Sequence, residues 1–106
     1  MMRPKVSVLA SFYNLAPYVD QTLQSVLSQQ TTFDVEVVCA DDGSDDGTQE
    51  KLHDWCSRFP DKIRMFVMER QPGVKQDNRS RIRRLNAIRG RLFREARGEY
   101  ICYLDG

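Results

Sequence analysis

Val37-Val38-Cys39-Ala40-Asp41-Asp42-Gly43-Ser44-Asp45-Asp46-Gly47-Thr48 changes character in mid-course, from an unbroken apolar run to a turn dense in carboxylates and glycine. The run belongs to a longer segment, Asp34 to Ala40 (DVEVVCA), whose β-branched content and shortness predict a strand buried on both faces. The octapeptide after it reads as a turn and a helix start, with Asp45 or Asp46 as cap. Leu52, Trp55 and Phe59 then recur at helical spacing as the inward positions, until Pro60 stops the helix.

The same unit repeats outward in both directions. Upstream, Lys5 to Ala10 (KVSVLA) is a strand running into the loop Ser11-Phe12-Tyr13-Asn14. Pro17 suits a first helical position, and Val19, Leu23, Val26 and Leu27 carry the helix to about Gln30. Downstream, Ile63 to Met68 is a third strand, and a loop around Gln71-Pro72-Gly73 follows. A basic helix is predicted from Arg79 or Arg83 to Ala96, with Leu85, Ile88, Leu92 and Phe93 buried. Gly98 ends it, and Glu99 to Leu104 (EYICYL) is the fourth strand, followed by Asp105 and Gly106.

Strand and helix thus alternate throughout, which predicts an α/β domain: a parallel sheet with right-handed crossovers and helices on both faces. Residues 1–106 form a single domain, for a chain of 106 residues with 41% hydrophobic content has room for one core. In such sheets ligands bind beyond the carboxyl ends of the strands. Three polar clusters are expected there: Ser11 to Asn14, Asp41 to Ser44, and Asp105.

A formal net charge of +1 points to neither nucleic acid nor membrane. Its distribution is uneven, with nine basic residues between Lys75 and Arg97 and six acids between Asp41 and Asp54, implying two distinct surfaces. No apolar run approaches the roughly 18 residues of a membrane span, and the start lacks a signal core. A cytoplasmic domain is therefore expected, reaching the inner face of a membrane only through other regions. Cys39, Cys56 and Cys102 have no pairing pattern; Cys39 and Cys102 sit in apolar strands and are expected to be buried and inert.

Paired carboxylates beside Gly43 can accept from a ligand's N–H or hydroxyl groups, because glycine allows close backbone approach. The same residues also serve in ordinary helix capping, and their types alone leave both uses open. A calcium loop is opposed by His53 at what would be its twelfth position and by the strand before it. Asp105 could aim a carboxylate at a ribose hydroxyl or a metal, but Mg²⁺ or Mn²⁺ needs several oxygens. Tyr13 could stack on a base or pack at the strand end. The arginine-rich helix could present a solvated face, bind a diphosphate, or bind a nucleic-acid backbone; without interleaved aromatics or a reader motif, no nucleic acid is expected. No Ser-His-Asp or Cys-His set forms around His53, the only histidine, and no G-x-G-x-x-G follows the first strand. A phospho-acceptor signalling domain is an alternative, with Asp105 as acceptor and its lysine expected past Gly106.

The stretches Val6-Ser7-Val8-Leu9, Tyr13-Asn14, Ser25 to Gln29, Val37 to Thr48 and Gly98 to Asp105 together resemble the family 2 glycosyltransferases. The resemblance spans nearly the whole chain. It implies the nucleotide-binding half of the GT-A fold, Rossmann-like, with sheet order 3-2-1-4. The implied reaction is transfer from a nucleotide-sugar donor, a UDP-sugar above all, to a hydroxyl of a sugar or glycan acceptor in polysaccharide or glycoconjugate synthesis.

In that resemblance Ser11 and Tyr13 match base-contacting positions and Asn14 lies beside them. Asp42 matches the carboxylate that accepts from a uracil N–H, with Asp41 adjacent. Asp105 matches the first acid of an Asp-x-Asp motif that contacts ribose and organises Mn²⁺ or Mg²⁺; the second acid would fall just past Gly106. Arg89 matches the arginine of an Ala-Arg-Asn-x-Gly stretch, though Gly90 and Leu92 replace its asparagine and glycine. Gly73-Val74-Lys75 is similar too, and Arg79 is a further candidate for a base or phosphate contact. The general base is expected outside this stretch.

Overall fold

A computed structural model describes residues 4–29, 34–69 and 77–105, with Asp105 placed by its backbone alone. Its elements are β1 (Val6–Phe12), α1 (Ala16–Leu27), β2 (Val35–Asp41), α2 (Thr48–Arg58), β3 (Ile63–Val67), α3 (Asn78–Glu95) and β4 (Tyr100–Asp105). The strands form one sheet in the order β3-β2-β1-β4, and every neighbouring pair is parallel. This is the expected α/β architecture. The loop expected around Gln71-Pro72-Gly73, and Lys75 with it, lies outside the described residues.

The central strands are apolar on both sides because helices cover both. Val8, Ala10, Phe12, Val37 and Cys39 face Val19 and Leu23 of α1 and Leu52 and Trp55 of α2. On the other side Leu9, Val38, Ala40 and Phe66 meet Ile88 and Leu92 of α3. Three strands run past their apolar stretches: β1 continues to Phe12, β2 to Asp41 and β4 to Asp105. Their ladder bonds are made by backbone, so a polar side chain at the end does not interrupt pairing.

Several positions differ from expectation. Pro17 takes the second helical place, after Ala16. The N-cap position of α2 is Gly47, at φ 97°, a left-handed conformation that glycine adopts without strain, while Asp46, one of the two expected caps, accepts from the first helical N–H, that of Thr48, at 3.0 Å. Phe59 is the helix's C-cap and partly exposed, stacked on Trp55 at 5.7 Å between centroids. Helix α3 starts at Asn78 because Asp77 caps it, accepting from Ser80 N–H at 2.7 Å. Leu85 and Phe93 are exposed, Phe93 by 51%. Helix α3 packs on β1 and β2, so its buried row is the single i, i+4 line of Ile88 and Leu92. Cys39 is buried and Cys56 partly so, but Cys102 is exposed, for it lies on edge strand β4.

The amino edge of the sheet is tied by a buried carboxylate. Glu36, 3% exposed, accepts from Ser7 Oγ at 2.5 Å and from Arg97 N–H at 2.7 Å, and it pairs with Arg64 and Arg97 at 3.1 and 3.2 Å. Arg64 also holds Glu95 at the end of α3. Gly98 N–H donates to Ser7 Oγ at 2.8 Å, and a Cβ at Gly98 would lie 2.7 Å from Ser7 N. That approach admits only hydrogen, so Gly98→Ala should lower stability by about 1–3 kcal/mol in urea unfolding, the usual cost of overpacking.

Burial by itself would raise the Glu36 carboxyl, but the bonds from Ser7, the Arg97 backbone and Arg64 outweigh it and hold the group below its ordinary value of 4.5. A depressed carboxyl stabilises the fold fully above the unfolded value, and the contribution is lost as pH falls through the folded one. Wild type should therefore exceed Glu36→Gln in stability at pH 7, with the gap closing below about pH 4.5. A gap constant down to pH 3 in pH-dependent thermal melts would contradict this.

Candidate functional site

Parallel pairing puts the ends of all four strands on one side of the molecule. Strand β1 lies between β2 and β4, with Phe12 in register with Asp41, and Ser11 with both Ala40 and Asp105. Asp42 N–H continues the ladder, donating to Phe12 O at 2.8 Å. Ser11, the Asp41-Asp42 pair and Asp105, far apart in sequence, thus end at a single edge.

The two neighbouring acids have different surroundings. Asp41 is fully buried; its Oδ2 accepts from Ser44 N–H at 3.2 Å, and its Oδ1 has no hydrogen-bond partner among the described residues. It shapes the turn from inside. Asp42 lies at the mouth, its side chain 20% exposed, and pairs with the Arg84 guanidinium. Arg84 also donates to the carbonyls of Glu69, at 3.1 Å, and Met68. One side chain of α3 therefore joins the ends of β2 and β3.

Tyr13 is 44% exposed at the tip of the β1–α1 loop. Asn14 follows at φ 49°, a left-handed conformation that asparagine tolerates. Its N–H donates to Ser44 Oγ at 2.9 Å, and its Oδ1 accepts from Asp45 N–H at 3.0 Å. Asn14 thus braces one loop against the other. Arg89 lies over the Tyr103 ring, 5.5 Å from its centroid, and the Tyr103 hydroxyl is 3.4 Å from Ser11 Oγ. Arg79 is exposed in the first turn of α3.

Asp105 is in register with Ser11, and no three His, Cys, Asp or Glu side chains cluster as metal ligands among the described residues. A single carboxylate falls short of the six or so oxygens that Mg²⁺ takes, so the described side chains do not by themselves make a metal site. No described helix is long and apolar enough to cross a membrane.

Sequence reasoning missed Arg84. A signal was present: Arg84, Ile88 and Leu92 form one i, i+4 row, the row that faces the sheet. Thr48 was missed too, because the Leu15 N–H that its hydroxyl accepts from lies in the distant β1–α1 loop. Removing Arg84 takes a guanidinium away from the partly buried Asp42 carboxylate. Arg84→Ala should lower the stability read from the urea midpoint by about 2 kcal/mol, the scale of hydrogen bonds to charged groups. Arg84→Lys should recover only part, since an ammonium lacks the fork; a midpoint unchanged in both variants would contradict the bridge.

A 3-2-1-4 parallel sheet with its acids gathered at the carboxyl edge is the fold of the nucleotide-binding half of GT-A sugar transferases, and the comparisons agree. The family described as Glycosyl transferase family 2 matches residues 7–106, and the chain belongs to it. An uncharacterized glycosyltransferase of Nostoc sp. is 35% identical over 101 residues, covering 95% of this chain and 27% of the relative. Residues 1–349 of TarS from S. aureus superpose with a TM-score of 0.68 at 25% identity, covering 95% of this chain and 27% of that one. The mannosyltransferase PcManGT from Pyrobaculum calidifontis, in complex with GDP-Man and Mn²⁺, gives 0.55 at 26% identity, covering 78% and 25%. The chain spans about a quarter of the length of the curated relatives it matches.

Proposed function

We propose that this chain is the donor-binding part of a glycosyltransferase that moves a sugar from a nucleoside-diphosphate sugar, a UDP-sugar in the first instance, to an acceptor hydroxyl in glycan synthesis. The observation that carries the proposal is the meeting of Ser11, Asp42 and Asp105 at one sheet edge beside exposed Tyr13. Family membership and a neighbour bound to GDP-Man support it.

In this reading the Tyr13 ring stacks on the base, and Asp42 accepts from a ring N–H such as that of uracil. Arg84 keeps the Asp42 carboxylate oriented. Ser11 and Asp105 lie toward the ribose, and Arg89 and Arg79 are the cations nearest the diphosphate. The acceptor oxygen bonds to the anomeric carbon as the bond from that carbon to the phosphate oxygen breaks; the electron pair leaves with the nucleoside diphosphate, and the hydroxyl proton passes to the general base expected outside this stretch. Cations preorganised around that leaving group lower the barrier, because charge accumulates there in the transition state. A divalent ion, when bound, would neutralise diphosphate charge, with Asp105 offering one oxygen and the nucleotide others.

Titrating the chain with UDP and with GDP, each with and without Mn²⁺, tests the proposal by calorimetry or amide chemical shifts. UDP should bind at millimolar concentration or below, and Asp42→Asn should weaken it at least tenfold, about 1.4 kcal/mol. Absence of any change at millimolar UDP, or equal affinity in Asp42→Asn, would overturn it.

A further inference from the structure

Helix α1 begins with a problem that its own sequence does not solve. The first N–H groups of a helix have no intrahelical partner, and the N-cap here is Leu15, whose side chain has no acceptor. Within the first turn Pro17 has no N–H and Tyr18 N–H turns back to Leu15 O at 2.8 Å, while Ala16 and the two residues leading into the helix find acceptors in the acidic loop about thirty residues on. Three consecutive N–H groups are served: Asn14 by Ser44 Oγ at 2.9 Å, Leu15 by Thr48 Oγ1 at 2.9 Å, and Ala16 by Asp46 Oδ2 at 3.2 Å.

Asp46 acts on both sides. Its Oδ1 accepts from Thr48 N–H at 3.0 Å and from the Thr48 hydroxyl, while its Oδ2 reaches α1. One carboxylate therefore faces the amino ends of two helices, where the helix dipole favours negative charge. Thr48 is fully buried, and its hydroxyl has one proton. Giving that proton to Asp46 leaves a lone pair to accept from Leu15 N–H, so each bond orients the next.

We propose that Asp46 and Thr48 are positioning residues of the nucleotide site: they cap α1 from the neighbouring loop and thereby hold the Tyr13-Asn14 wall at a fixed place relative to Asp42. The proposal rests on the nucleotide reading above and adds residues that touch no nucleotide. Tyr13 immediately precedes the first of these N–H groups, that of Asn14, and Asp42 lies two residues before Ser44, so the clamp joins the loop that carries Tyr13 to the loop that carries Asp42. The Asp46 carboxyl is held below its ordinary value, first by the Thr48 hydroxyl, as a carboxylate in steady use as an acceptor should be.

The test compares Thr48→Val, which keeps shape and deletes the hydroxyl, with Thr48→Ser, Asp46→Asn and Asp42→Asn. Ile88→Val, a core truncation on the far face of the sheet, serves as a stability-matched control. Thr48→Val should weaken UDP binding about tenfold and abolish the slowed hydrogen exchange of the Leu15 amide; Thr48→Ser should restore both. Asp46→Asn should speed exchange at Ala16 and Thr48 and weaken UDP in parallel. Ile88→Val should lower the melting temperature yet leave UDP affinity unchanged. If Asp42→Asn weakens UDP but Thr48→Val binds it like wild type, or no worse than a control of equal stability, the positioning role is overturned alone. If Asp42→Asn itself has no effect, the nucleotide reading falls, and this role with it.

Discussion

Strand β1 pairs in parallel with β2 on one side and β4 on the other, and the gathering of polar residues at one edge follows from that pairing. Parallel strands exit the sheet in the same direction, so polar residues that follow or end each strand collect at one edge. Ser11, Asp42 and Asp105 share no local sequence relation. They meet because the backbone ladder brings their strands into register.

That register is supported from the opposite edge. Glu36 is almost fully buried, and each of its oxygens is occupied by donors from β1, β3 and the segment preceding β4. A buried carboxylate left unpaired would be costly, so the network tolerates little sliding of one strand against another. Gly98 adds a steric limit where it lies against Ser7. The buried charge at the amino edge and the polar cluster at the carboxyl edge are thus two ends of one constraint.

The acidic octapeptide divides its work. Asp41 points inward and shapes the turn, Asp42 stands at the mouth under the hold of Arg84, and Asp46 caps helices on both sides. Turn and capping chemistry fall to Asp41 and Asp46, which leaves Asp42 as the member that the proposed nucleotide reading uses. The basic helix is divided too. Arg84 reaches the Asp42 side and Arg89 lies over Tyr103, while Ile82 and Phe93 stay exposed on its outer flank.

By itself the sequence determined the alternation of strands and helices, the parallel sheet, and the edge at which its polar clusters gather. Those depend on local periodicity and on the rule that parallel strands share a direction. The family resemblance added the strand order. The tertiary structure decided which of two adjacent aspartates is sealed inside, because burial depends on what packs over a strand end. It decided that Leu85, Phe93 and Cys102 are exposed, since α3 covers β1 and β2 and leaves the edge strand open. It also decided the partners of Arg84, Asp46 and Thr48. The bonds from Arg84 to Asp42, Asp46 to Ala16 and Thr48 to Leu15 join residues separated by about thirty or forty positions, and no local spacing encodes a contact that exists only once distant segments are folded side by side.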